Sequence, residues 1–220
     1  MYHHLTQQNG FIGRIKNMPD PQKITKDRTS RIERKTNETS ITCKLTIDGT
    51  GQGIIATGIP FFDHMLSQLK RHSFMDIDLS ASGDLEIDLH HTVEDVGIVL
   101  GMAIKEALGE RQGIVGYANT KVPLDEACVE CVLDLCTRPF IHYDLHFNKE
   151  RINNFELELN LEFWKALAFN APFTMHLRQI SGVNSHHIIE AGFKAFAIAF
   201  DHAKQIDQRI KGSRSTKGAM

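Results

Sequence analysis

Apolar and polar side chains alternate with period two over IleThrCysLysLeuThrIle (residues 41–47), which predicts a strand with one buried face. The Gly-rich AspGlyThrGlyGlnGly that follows reads as a turn, and ProPhePheAspHisMetLeuSerGlnLeuLys (60–70) as the start of a helix. AspIleAspLeuSerAlaSerGlyAspLeuGluIleAspLeu (76–89) alternates again and predicts a strand pair around Gly83, after which a helix runs from about Val93 to Leu108. The second half repeats the plan. Strand-like stretches at Cys128–Leu135 and Phe140–Phe147 precede a helix near Phe155–Phe169, a strand at ThrMetHisLeuArgGln (174–179) and a helix from about Ile188 to Ala203. Residues 1–30 are polar, contain Pro19 and Pro21 and keep no period, which predicts a flexible N-terminal extension.

The repetition extends to the motifs. AspLeuHisHisThrValGluAsp at 88–95 is answered 96 residues later by AsnSerHisHisIleIleGluAla at 184–191. Each box follows a predicted strand and opens a predicted helix. Upstream, by 26 and 24 residues, stand His64 in PhePheAspHis and Glu162 in AsnLeuGluPhe, each near the start of another helix. Two duplicated halves, 31–125 and 126–212, each with one sheet and two helices, account for this order.

Composition narrows the chemistry. A chain of 220 residues with 41% hydrophobic and 24% charged residues is that of a globular protein, and no apolar run approaches the ~20 residues that a membrane span needs. Lys and Arg total 25 against 27 Asp and Glu; a net charge of −2 provides no basic field for nucleic acid. Four cysteines without a secretory leader point to the cytoplasm. Cys128 and Cys131 form a CxxC, but residues three apart on a strand face opposite sides, so they read as small buried fillers rather than a metal pair.

Histidine is the outlying residue type, with 12 copies. Successive side chains on a helix are separated by about 100°, so His90 and His91 diverge and each needs its own target. Glu94, four and three residues on, lies close in direction to both, and the same holds for His186, His187 and Glu190. One HisHis pair at a helix start is commonly a solvated or capping feature; two in matching context favour metal. The simplest assembly is two metal centres, with His64 and Glu162 as extra ligands and the remainder drawn from the other half or a neighbouring subunit. Nitrogen and carboxylate donors without thiolate suit a divalent first-row ion. Arg138, Lys194 and the SerThrLysGly of 215–218 form a second set, of the types that bind phosphate oxygens.

Together PhePheAspHisMetLeu, AspLeuHisHisThrValGluAsp, ProLeuAspGluAla, ArgProPhe, SerGlyValAsnSerHisHisIleIleGluAlaGlyPheLysAlaPhe and SerThrLysGly, in this order, closely resemble the imidazoleglycerol-phosphate dehydratase family from about residue 31 to the end. The resemblance implies an α+β fold in which two duplicated βα halves are related by pseudo-two-fold symmetry, with helices packed between two mixed sheets. It implies homo-oligomers, trimers with shared Mn2+ sites assembled into a 24-mer, and two ions per active site. The implied reaction converts D-erythro-imidazole glycerol phosphate to imidazole acetol phosphate through a metal-bound imidazolate and a diazafulvene-like intermediate. Carried over by position, the metal ligands are His64, His90, His91, Glu94, Glu162, His186, His187 and Glu190. Glu38, Glu94 and Glu190 are the candidates for proton transfer. Gln68, His72, Arg138, Lys194, Ser215 and Lys217 match substrate and phosphate positions, which makes 213–220 a substrate-binding tail. One departure is GlyIleValGlyTyr, where many relatives carry an arginine and this chain has Gly116. The phosphate contact is then either absent or supplied by another residue such as Arg111. His142, His146, His176 and His202 read as structural or exposed residues.

The same ligand set admits two other readings: a dinuclear hydrolase of small phosphorylated molecules, with metal-bound hydroxide as nucleophile, and a non-catalytic metal-storage shell.

Overall fold

The computed structural model of the protein describes residues 27–214. Most of the expected N-terminal extension, together with Ser215 and Lys217, lies outside the described residues. The fold begins earlier than the polar texture of the N-terminus predicts: β1 spans Thr29–Lys35 and pairs with β2 (Thr39–Thr46). β3 (Ile55–Ala56), α1 (Pro60–Ser73), β4 (Asp76–Gly83) and α2 (His90–Leu108) complete the first half. The second half runs through β5 (Tyr117–Leu124), β6 (Ala127–Asp134), β7 (Phe140–Asp144), a small hairpin of β8 (Arg151–Ile152) and β9 (Phe155–Glu156), α3 (Leu159–Asn170), β10 (Thr174–Ser181) and α4 (Ser185–Lys204).

The duplication is exact in topology. One four-stranded sheet has the order β1-β2-β4-β3 and the other β5-β6-β10-β7. In each, two antiparallel pairings are followed by one parallel pairing, β3 on β4 and β7 on β10. Between the sheets, α2 packs on β1 and β2, and α4 on β5 and β6; α1 then runs along α4, and α3 along α2. Every helix pair therefore joins the two halves, as a pseudo-two-fold axis requires. Ile41, Cys43 and Leu45 of β2 and Val129, Cys131 and Leu133 of β6 fill matching core positions. Burial pushes the Cys43 thiol up to about 12, and the Cys131 thiol higher still, so neither serves as a thiolate. Cys128 lies on the other face of β6, as the strand reading requires.

Two predicted elements change. The strand pair around Gly83 is a single strand followed by a turn in which Ile87 N–H donates to Asp84 O, because β4 already has β2 and β3 on its two edges and no edge remains for a return strand. The helix expected near Phe155 starts at Leu159, because Phe155 belongs to the β8–β9 hairpin and packs 5.3 Å from the Phe61 ring of α1. No helix among the described residues is long and apolar enough to cross a membrane.

Candidate metal centre

The two HisHis boxes open α2 and α4 as the sequence predicts, and a short polar side chain before each box fixes where the helix starts. Asp88 accepts from His90 N–H at 2.8 Å, and Asn184 from His186 N–H at 3.0 Å. At those starts the adjacent rings splay apart. His90 and His91 have centroids 6.3 Å apart at 87°, and His186 and His187 lie 6.3 Å apart at 78°. Each box thus offers two imidazoles with separate targets.

Because α1 lies along α4, His64 meets the second box. The Nε2 atoms of His64 and His186 both lie 3.1 Å from Glu190 Oε2, and the two rings are 5.7 Å apart. Three donor atoms of His64, His186 and Glu190 fall within 4.8 Å of one another, the one such cluster among the described residues. Two imidazole nitrogens and a carboxylate oxygen converging on one point fit a divalent first-row ion. One turn further along α4, Lys194 Nζ reaches Glu190 Oε1 at 2.6 Å. Burial raises the Glu190 carboxyl, but Lys194 and the two histidines outweigh it and hold the group below the usual carboxylate range. His72, two turns beyond His64 on α1, is lowered by burial and by the facing Lys194 ammonium. Gln68 lies between them on the same helix, so α1 and α4 together place imidazoles, a carboxylate, an amide and an ammonium along one groove.

The related groove between α2 and α3 is different. His90 Nε2 stands 3.8 Å from Glu94 Oε2, while Glu162 pairs with Lys165 at 2.9 Å. Glu94 and Glu162 line a cleft of about 580 Å³ with Ile98, Ala166 and Phe169, apolar where the other groove carries Lys194 and Gln68. Pro139 lines the same cleft, which puts the neighbouring Arg138, paired with Asp134 at 3.5 Å, beside this second half-site rather than beside Lys194. The expected phosphate binders are therefore divided between two grooves of one chain.

His91 and His187 reach neither groove cluster. His91 Nδ1 lies 3.1 Å from Asp84 Oδ2, which raises its pKa, and its Nε2 lies 3.9 Å from Glu38. His187 Nδ1 lies 2.8 Å from Glu126 Oε2. The Glu126 carboxyl, held by that histidine and by the N–H groups of Asn184 and Val183, falls to about 2. Sequence reasoning did not single out Asp84 or Glu126. The available signal was the duplication itself, since Glu126 ends the β5–β6 turn where Glu38 ends the β1–β2 turn. Arg111 is removed as a substitute for the arginine that Gly116 replaces: it is buried, and its guanidinium donates to Cys136 O and, at 2.8 Å, to Ala171 O.

Comparison with known proteins adds the family. The family model for imidazoleglycerol-phosphate dehydratase matches residues 57–200. The curated imidazoleglycerol-phosphate dehydratase of Acetivibrio thermocellus is 53% identical over 194 residues, covering 88% of this chain and all of that protein. The crystal structure of the Staphylococcus aureus enzyme superposes with a TM-score of 0.75 at 32% identity, over 81% of this chain and 99% of that one. The Pyrococcus furiosus structure, in complex with (S)-C348, gives 0.74 at 34% identity, over 86% and 100%.

Proposed function

The chain belongs to the imidazoleglycerol-phosphate dehydratase family, the hydro-lyases of histidine biosynthesis, and from that premise we propose that it removes water from D-erythro-imidazole glycerol phosphate in the cytoplasm to give imidazole acetol phosphate. The observation that carries the reading is the convergence of His64, His186 and Glu190 on one point beside Lys194, His72 and Gln68. That juxtaposition supports an ion site next to a phosphate site.

Two ions per site, Mn2+ by preference, would be held by His64, His186 and Glu190 on one side and by His90, Glu94 and Glu162 on the other, with His91 and His187 directed outward to sites shared with other copies. When bound, they would ease loss of the substrate's ring N–H proton, so that the ring electrons can expel the hydroxyl on the adjacent carbon. The chain's own residues do the rest. Lys194, Gln68 and His72 bind and orient the phosphate from one groove and Arg138 from another, with Ser215 and Lys217 of the tail 213–220 added to them. Glu38, with a side chain 52% exposed near His91, takes the proton from the carbon that becomes the ketone, while Glu94 and Glu190 serve nearby. The separation of Arg138 from Lys194 within one chain, and the outward His91 and His187, favour a site assembled from several copies. We assign the assembly as trimers forming a 24-mer, each copy made of two halves, the first opening with β1 at Thr29 rather than at 31 and the second with β5 at Tyr117 rather than at 126, running to about 212.

Incubating the manganese-loaded protein with imidazole glycerol phosphate tests the reading. Ketone without free phosphate is expected. Free phosphate would favour the hydrolase, and many ions per subunit without turnover would favour storage.

A further inference from the structure

The β1–β2 and β5–β6 turns occupy matching places, yet their glutamates face different atoms of matching histidines. Glu126 Oε2 sits 2.8 Å from His187 Nδ1, while its Oε1 accepts from Asn184 N–H at 2.8 Å and Val183 N–H at 3.2 Å. Glu38 instead stands 3.9 Å from the far nitrogen, Nε2, of His91. The Nδ1 position of His91 is occupied from elsewhere: Asp84, in the connection between β4 and α2, places its carboxylate oxygens 3.1 and 3.3 Å from it. Asp84 thus stands to His91 as Glu126 stands to His187, and the duplicated glutamate of the first half is released.

We propose that Asp84 and Glu126 are positioning residues that hold a proton on Nδ1 of His91 and His187, so that Nε2 of each carries the lone pair offered to a divalent ion, and that this substitution of partners leaves Glu38 free to face substrate. An ionised carboxylate only accepts, so a neutral ring against it must donate from Nδ1 and keep its lone pair on Nε2. A metal-binding imidazole needs that tautomer and a fixed ring orientation. Around His187 Nε2 the neighbours are loose, with Asn184 Nδ2 at 3.5 Å and Asp125 Oδ2 at 3.9 Å. The inference rests on the metal reading given above.

Glu126→Gln separates orientation from shape. Two main-chain N–H groups demand the amide oxygen on one side, which turns the amide NH2 toward Nδ1 and drives the ring proton to Nε2. Titrating chelator-treated, full-length protein with Mn2+, and following free Mn2+ by electron paramagnetic resonance, should show binding weakened roughly 10- to 100-fold in Glu126→Gln and in Asp84→Ala, which removes the acceptor altogether because no N–H among the described residues fixes the amide oxygen of an asparagine there. Turnover should recover as manganese saturates. Glu38→Gln should bind Mn2+ like the parent and lose turnover even at saturation. His187→Ala identifies which idea fails. If it binds weakly while Glu126→Gln and Asp84→Ala bind normally, the positioning role is overturned and the metal reading stands; if His187→Ala itself binds like the parent, His187 is no ligand and its positioning by Glu126 falls, while the His64–His186–Glu190 site is left standing. Should one carboxylate variant fail to fold, the other measures the same effect on the matching histidine.

Discussion

At Glu190 two forces oppose each other: burial favours the neutral acid, while Lys194 and two imidazoles favour the anion and prevail. The carboxylate is therefore ready for a cation, and Lys194 is available to a second anion once an ion takes over Glu190. Lys194→Met should raise the KM for substrate roughly 10- to 100-fold, the worth of a charge-assisted hydrogen bond of about 1.5–3 kcal/mol, while metal content stays intact; an unchanged KM would remove Lys194 from the phosphate site. Away from the site, Asp76 Oδ1 accepts from Thr50 N–H and Gln52 N–H, each at 2.8 Å, and these bonds, Gln52 first, hold its carboxyl below the ordinary 3.8. A group depressed on folding stabilises above its unfolded value and loses that contribution as pH falls through its folded one. The melting-temperature gap between the parent and Asp76→Asn should be full above about pH 4 and close below it; a gap independent of pH would contradict the assignment. The metal-type residues were legible because repetition marks them in the chain itself. Asp84 and Glu126 were not, since their role comes from loops that only the finished sheets bring to α2 and α4.

Helices carry this architecture through close approach. A Cβ on Gly101 of α2 would stand 2.7 Å from the Asn170 Cβ and 2.9 Å from Leu167 O of α3, and one on Gly97 would stand 2.8 Å from both Phe163 O and the Ala166 Cβ. Gly101→Ala must push α3 away, costing about 1–3 kcal/mol, seen as a melting temperature lower by roughly 2–4 °C per kcal/mol; an unchanged melting temperature would contradict this contact. The four helices and the central strands β2, β4, β6 and β10 were readable from period and burial. The edge strands β1 and β5 were not, because ThrSerArgIleGluArgLys is dominated by charge and TyrAlaAsnThrLysValProLeu contains Pro123, features that natural sheets place on edges. The β8–β9 hairpin, two residues on each side, is too short to leave a period.

For the molecule as a whole, the duplication yields two grooves of unequal chemistry, one charged between α1 and α4 and one with an apolar floor between α2 and α3. If copies share ions across their contacts, removing metal should lower the mass of the particle together with its activity, and manganese should restore both; a chelated particle of unchanged mass would separate assembly from metal. If the repeated box is an ion-binding module, manganese occupies it. An anomalous-difference map from crystals grown with manganese tests it directly. A peak coordinated jointly by Nε2 of His64, Nε2 of His186 and the carboxylate of Glu190 is the expected result, and manganese found only elsewhere, in an assembly where this triad still converges, would contradict it.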